Sequence, residues 1–188
     1  KAGFTPNATD EYSLNFVKQE GKKHGIGAVT GTSTISTWDW PTWDTSSLYW
    51  LSHTQLTDKT YLKTRAYYNT FENTLLACTN VSLNTQNFIS YYDDNAKGFS
   101  LEVGTDFFAQ QTLKAALHYR RDEHKEWQYT RAATATTPAN FTEPAQKTVE
   151  DTVSVALEDT WHITSKFDLV GGISRDARYS KQAEEFAS

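Results

Sequence analysis

Methionine is absent from this 188-residue chain, and cysteine occurs once, at Cys78. A lone cysteine excludes a disulfide within the chain and any zinc site built on paired cysteines. Cys78 falls in a long polar connection, so a partner outside this segment is expected for it. Long apolar runs are missing too: none approaches the roughly 18 residues that a membrane-crossing helix needs. Basic residues are outnumbered, with 18 Lys and Arg against 23 Asp and Glu, a net charge of −5. Without a basic stripe to neutralise phosphates, no nucleic-acid partner is expected. Neither a signal peptide nor a lipidation motif is visible. Lys1-Ala2-Gly3-Phe4 is not a natural start, and an internal piece of a longer protein is the expectation.

Catalytic signatures are equally lacking. There is no nucleophile elbow, phosphate loop, Ser/His/Asp grouping or Cys/His spacing of a metal site. Adjacent carboxylates such as Glu158-Asp159 and Glu184-Glu185 point to opposite faces of a strand, which does not suit shared acid–base work. No enzymatic activity and no cofactor are expected. Asn7-Ala8-Thr9, Asn80-Val81-Ser82 and Asn140-Phe141-Thr142 have the glycosylation pattern, which matters only in a eukaryotic secretory setting. In a chain rich in Asn and Thr they are chance matches.

What the chain does have is alternation. Seven stretches, at about 12–19, 46–56, 61–71, 99–107, 112–121, 148–161 and 167–175, place apolar residues on one side and polar ones on the other, the period of a strand. The fourth is the clearest: Phe99, Leu101, Val103 and Phe107 against Ser100, Glu102, Gly104 and Asp106. No segment shows a helical stripe. Hydrophobic residues make up only 38% of the chain and the mean hydropathy is −0.64. A strand that offers lipid only alternate residues keeps its average low, so these values are compatible with a membrane barrel.

Connections alternate in length. Short turns lie at 56–60, 107–112 and 162–166, while polar connections of two dozen residues or more are expected around 19–44, 72–96 and 121–149. Three long structureless loops are foreign to a compact soluble domain. Outer-membrane barrels combine short periplasmic turns with long extracellular loops. Tyr61, Phe107, Phe108, Trp161 and Phe167 cluster near the short turns, as an interfacial aromatic girdle would. The expected fold is therefore all-β: an antiparallel transmembrane β-barrel segment of about 7–8 strands. Single-chain bacterial barrels close with even strand numbers, and an open sheet edge cannot sit in hydrocarbon. The segment, residues 1–188, is expected to be an arc of a larger barrel.

Several stretches resemble the barrel of TonB-dependent outer-membrane receptors. Residues 153–176 are similar to a hairpin of that family, with Glu158-Asp159-Thr160-Trp161 ending one strand and Gly172-Ile173-Ser174-Arg175-Asp176 ending the next. Arg175 and Asp176 are adjacent here, a mild departure from the family's pattern. Residues 12–23, 38–56 with the run Trp38-Asp39-Trp40-Pro41-Thr42-Trp43-Asp44, and 61–73 with Tyr67-Tyr68-Asn69-Thr70-Phe71-Glu72-Asn73 are also similar to barrel segments of the family. The likeness extends from about Glu11 to Phe186, without the family's plug domain and TonB box. It implies active import of a scarce solute across the bacterial outer membrane. A ferric siderophore is the first expectation for that solute, with TonB engaged through the missing N-terminal region and outer-membrane lipid around the wall.

The candidate ligand-binding residues are Trp38, Trp40 and Trp43, whose indoles offer flat apolar surface and N–H donors, and Arg120 and His124. The latter share a parity with His118 and Asp122. Consecutive same-face residues are about 6.6 Å apart, so this column suits a shared metal ion poorly. A column neutralised by its own neighbours is the plainer expectation. Lys63, Arg65 and Lys114 opposite Glu102, Asp106 and Glu158 are expected to form cross-strand ladders. Two other functions stay open: a passive porin or small closed barrel, and a secreted all-β carbohydrate-binding module using the tryptophans.

Overall fold

The computed structural model describes residues 1–26, 37–78, 86–131 and 140–186, and in them a single nine-stranded antiparallel sheet. The strands are β1 (Ala2–Phe4), β2 (Glu11–Gln19), β3 (Lys23–Ile26), β4 (Thr37–Thr57), β5 (Thr60–Cys78), β6 (Gln86–Thr105), β7 (Gln111–Arg131), β8 (Asn140–Thr164) and β9 (Phe167–Ala183). Their order in the sheet is β1-β2-β4-β5-β6-β7-β8-β9, with β3 also pairing β4. β2 and β3 are thus one wall strand interrupted at residues 20–22. There the Trp43 amide donates to the Gly21 carbonyl (2.9 Å) and Gly21 donates to the Asp44 carboxylate (3.1 Å). Counted this way, seven long strands plus the short β1 make the wall, as alternation predicts.

The three short turns fall where the sequence places them, between β4 and β5, β6 and β7, and β8 and β9. In the middle one, Gln110 adopts a left-handed φ of 63°, and its carbonyl accepts the His162 amide at 2.8 Å.

The long connections differ from expectation. Much of 19–44, 72–96 and 121–149 is strand, while residues 27–36, 79–85 and 132–139 lie outside the described residues, as does the Asn80-Val81-Ser82 sequon. β4 to β8 run 19 to 25 residues each, roughly three to five times the common strand length of about 5–6 residues. Apolar alternation stops where both faces meet water, but the backbone ladder continues without it. Polar cross-strand pairs hold the extensions: Ser46 with Thr70 (2.7 Å), Ser90 donating to Gln128 (2.9 Å) and Lys147 with Glu123 (2.7 Å). Cys78 closes β5 as a buried free thiol rather than sitting in a loop. Tyr91 to Asp94 likewise belong to β6, where Tyr91 stacks on Trp127 at 5.2 Å.

Register assigns the two faces. Leu14, Trp50, Ala66, Phe99, Tyr119, Val153 and Ala177 form one cross-strand row, with Leu62, Val103, Ala115, Leu157 and Ile173 on the same side. This apolar face is open: Phe16 is 60% exposed, Leu157 60% and Ile173 74%. Conversely Ser13 and Asn15, on the polar face, are buried. No large side chain is fully buried among the described residues. A sandwich needs a second layer over its apolar face, and the described residues form only one layer. The described residues by themselves therefore do not make a sandwich. No helix of the described residues is long and apolar enough to cross a membrane.

One residue of the expected girdle is placed differently. Phe107, Phe108, Trp161 and Phe167 are exposed near the turns. Tyr61 instead lies on the polar face, where its hydroxyl donates to Glu102 at 3.0 Å and its ring covers the partner Gly104. Any Cβ at Gly104 would collide with that ring, a covering of strand glycine by an aromatic neighbour.

Three outcomes are expected. Val103→Arg should block membrane assembly, at a cost of roughly 2–4 kcal/mol for Arg near the midplane, read as loss of the folded band after extraction from membranes. Gln110→Val should destabilise by about 1 kcal/mol, because a β-branched residue resists a left-handed φ, whereas Gln110→Gly should not. The third concerns the rim beside β2. Asp10 is held below the usual carboxylate range, chiefly by the Gln55 amide that donates to it at 2.9 Å and further by the Asn7 side chain at 3.1 Å. A depressed carboxylate stabilises above its unfolded value and loses that contribution as pH falls through the folded one. Protection of the Gln55 amide, taken relative to its intrinsic exchange rate at each pH, should therefore fall only at acid pH, and Asp10→Asn should flatten that dependence.

Candidate functional site

The tryptophans are not in a loop. Trp38, Trp40 and Trp43 lie on β4 around a break in register between Asp39 and Thr42. Pro41 falls in that break, as proline in a wall strand must, having no N–H for the ladder. The extra residue places Trp40 and Trp43 on the same side. Their rings meet edge to face, Trp38 with Trp40 at 6.0 Å and Trp40 with Trp43 at 6.2 Å. Trp38 is opposite Ala77, and Trp43 is opposite Asn73, so the cluster belongs to the polar face.

Two residues missed by alternation complete it. The Lys23 ammonium lies over both Trp40 and Trp43, 4.7 and 4.8 Å from the ring centroids. Phe71 packs edge-on against Trp43 at 4.9 Å. Phe71 is also the register partner of Asp94, and Asp94 that of His124. The aromatic cluster and the Arg120–His124 column are therefore parts of one wall. A concavity of about 350 Å³ lies along it, lined by Asn69, Phe71, Asp94, Arg120, His124 and Glu150 among others.

The column is paired off internally. Arg120 grips Asp122 through Nε (2.8 Å) and Nη2 (2.5 Å). His124 Nδ1 contacts Asp94, and its Nε2 lies 3.6 Å from Glu126. Arg178 from β9 pairs with Glu150. An anionic ligand would have to displace a carboxylate to reach Arg120. Among the described residues no three His, Cys, Asp or Glu side chains are placed to hold one metal ion.

Nearer the short turns the same face carries the expected ladders. Lys63 pairs with Glu102 (3.3 Å) and Lys114 with Glu158 (2.9 Å). Two members differ: the Arg65 guanidinium lies over the Tyr67 ring at 5.1 Å, and Asp106, in a turn, accepts from Thr112 Oγ1 at 2.5 Å. Ser100 and His118 add a 2.8 Å hydrogen bond. This stretch is a structural lattice, and the concavity beside Phe71 and His124 lies farther from the short turns.

A solved structure decides the architecture. The chain superposes on the copper transporter OprC with a TM-score of 0.74 at 18% identity, covering 96% of this chain and 28% of that one. The fold is that of an outer-membrane barrel wall. The chain spans little more than a quarter of that protein's length, and a likeness at this identity speaks for the fold alone. No protein-family model matches the chain, and no curated protein matches it.

Phe71 joins the two halves of the wall, so Phe71→Ala should loosen both. An edge-to-face pair contributes about 0.5–1.5 kcal/mol beyond burial. The expected result is a red-shifted tryptophan emission and a lower unfolding temperature, with barrel assembly retained.

Proposed function

We propose that the chain is an arc of a transmembrane β-barrel of the TonB-dependent receptor class, importing a scarce solute across the bacterial outer membrane. The observation that carries this reading is the inverted distribution of side chains: an open apolar face and a polar face holding paired ions and buried hydroxyls. Such a wall is stable only with lipid on one side and a wet interior on the other. The resemblance of residues 153–176 to receptor hairpins supports the class, and the fold shared with a copper transporter supports transport. Its plug and TonB-engaging segment would lie elsewhere in the full protein. The edges of β1 and β9 have no described neighbour, and further strands would cover them, since unpaired backbone is not tolerated in hydrocarbon. No enzymatic role is proposed.

For the solute we favour a ferric siderophore or a ligand of similar bulk over bare copper. Three indoles and Phe71 offer extended flat surface, while the neighbouring polar groups are already committed to one another. A chain without methionine and with one cysteine has few soft donors for a copper ion. In this reading Trp38, Trp40 and Trp43 stack on the ligand, and Arg120 and His124 keep their carboxylate partners and shape the wall beside it.

The test is to extract the native protein from membranes and measure its intact mass. Very roughly 70–80 kDa, enough for a plug and the 22 strands of the outer-membrane transporter class, is expected. Ferric siderophores should then quench tryptophan emission, and Trp43→Ala should weaken that binding about tenfold or more, as for a lost aromatic anchor. A mass near 21 kDa would overturn the receptor reading in favour of a small closed barrel.

A further inference from the structure

The apolar face does not stay apolar along the strands. Above Phe99 on β6 and Tyr119 on β7 it turns basic. Lys97 is the partner of Arg121, Arg121 of Asp151, and Lys125 of Lys147. Lys181 reaches the same side from a break in register of β9 beside Val149 and Glu150, the kind of bulge that re-aims a side chain. Arg175 faces the same way, opposite Val155. The carboxylates facing this group from β6, β7 and β8 are Asp93, Glu123 and Asp151.

Each of the two inner carboxylates is shared by two cations. Glu123 holds Lys147 at 2.7 Å and Lys97 at 3.6 Å. Asp151 holds Arg121 at 2.7 Å and Lys181 at 3.9 Å. Each cluster therefore keeps one net positive charge, with the lysines about half exposed. Lys125 and Lys147 are also directly opposite across β7 and β8, a placement that destabilises unless something anionic covers it.

Depth decides what that something is. Lys97 is eight residues from Thr105, where β6 ends, and Arg121 ten from Gln111, where β7 begins. At about 3.4 Å per residue and a tilt near 40°, Lys97 and Arg121 lie roughly 20–25 Å above the short turns, the height of a barrel's apolar band, while Lys181 and Lys147, 14 and 17 residues from Phe167 and Thr164, start roughly 35–45 Å up and reach down to Asp151 and Glu123. Tyr68 and Tyr179 share the row of Lys97 and Arg121, Tyr119 lies one row below on the same face, and the Lys181 ammonium lies 5.3 Å over the Tyr179 ring. Basic side chains and tyrosines at the rim of a lipid-facing band meet headgroups, not solute.

We propose that Lys97, Arg121, Lys147 and Lys181 form an outward-facing clamp for the phosphate groups of lipid headgroups at the outer rim of the membrane. Two partly neutralised clusters on neighbouring strands would each take a phosphate oxygen, and the lipid's chains would lie over Leu117, Val155 and Leu157. The site is on the opposite face from the tryptophan wall, so it is independent of the imported solute.

The proposal is tested on the full protein in neutral detergent, offered equal amounts of phosphatidic acid and phosphatidylcholine, with retained lipid read by native mass spectrometry. Selective retention of phosphatidic acid is expected, reduced about tenfold or more by Lys97→Gln combined with Lys181→Gln, given roughly 1 kcal/mol for each basic residue at an anionic surface. Lys166→Gln, in the turn between β8 and β9, should leave retention unchanged. Equal retention of both lipids, or unchanged retention in the double variant, would overturn the proposal. Displacement of the lipid by millimolar inorganic phosphate would also overturn it, marking a free-anion site instead. A protein that stays dispersed without detergent would sink the membrane reading itself, an outcome separate from all three.

Discussion

Everything in this chain depends on an uninterrupted backbone ladder running from β2 through β9. In hydrocarbon each unpaired N–H or C=O costs several kcal/mol, and only closed or continuously paired strands survive there. Among the described residues β4 to β8 meet that demand, with register breaks at Asp39/Thr42, near the strand ends, at the top of β7 and β8, and beside Val149/Glu150 where β8 meets β9. Because the ladder is continuous, side chains separate strictly by parity. At membrane height one parity is left open and apolar; the other gathers ion pairs, hydroxyls and aromatic-covered glycines. The proposed function rests on this separation, since the polar parity can carry a ligand wall only if the other parity is occupied by lipid.

The ladder also sets how polar groups are used. Lys63–Glu102 and Lys114–Glu158 are half-exposed pairs of adjacent strands, each contributing little to stability alone. Their value is in registering the strands and pairing charges across the polar face. The same logic governs Arg120, tied to Asp122, and His124, tied to Asp94. It leaves the aromatic surface of Trp38, Trp40, Trp43 and Phe71 as the part of the wall with uncommitted area.

Sequence alternation carried the membrane-height part of the fold well. Phe99 to Asp106 shows its two faces without ambiguity, and the turns at 56–60, 107–112 and 162–166 lie where polar residues interrupt the pattern. It failed above the membrane. There Asp44, Glu72, Asp93 and Lys125 face one side and Asn73, Tyr92 and Glu126 the other, so both parities are polar and strand looks like loop. The tryptophans suffered the same error, since the Pro41 break hides their shared face. Phe71 and Asp94 were illegible for a different reason. Their place beside Trp43 and His124 is set by cross-strand register, which single-strand periodicity does not contain.

The central claim is that the parity of Phe99, Leu101 and Val103 faces lipid while that of Ser100 and Glu102 faces water. The most direct measurement places nitroxide labels one at a time at 99 to 103, with Cys78 replaced by Ser, in the protein reconstituted in lipid. Relaxation by oxygen and by a water-soluble nickel chelate then reports which medium each label meets. The account predicts strict alternation, with 99, 101 and 103 oxygen-rich and 100 and 102 open to nickel. Uniform nickel access at all five positions, or the opposite phase, would contradict it.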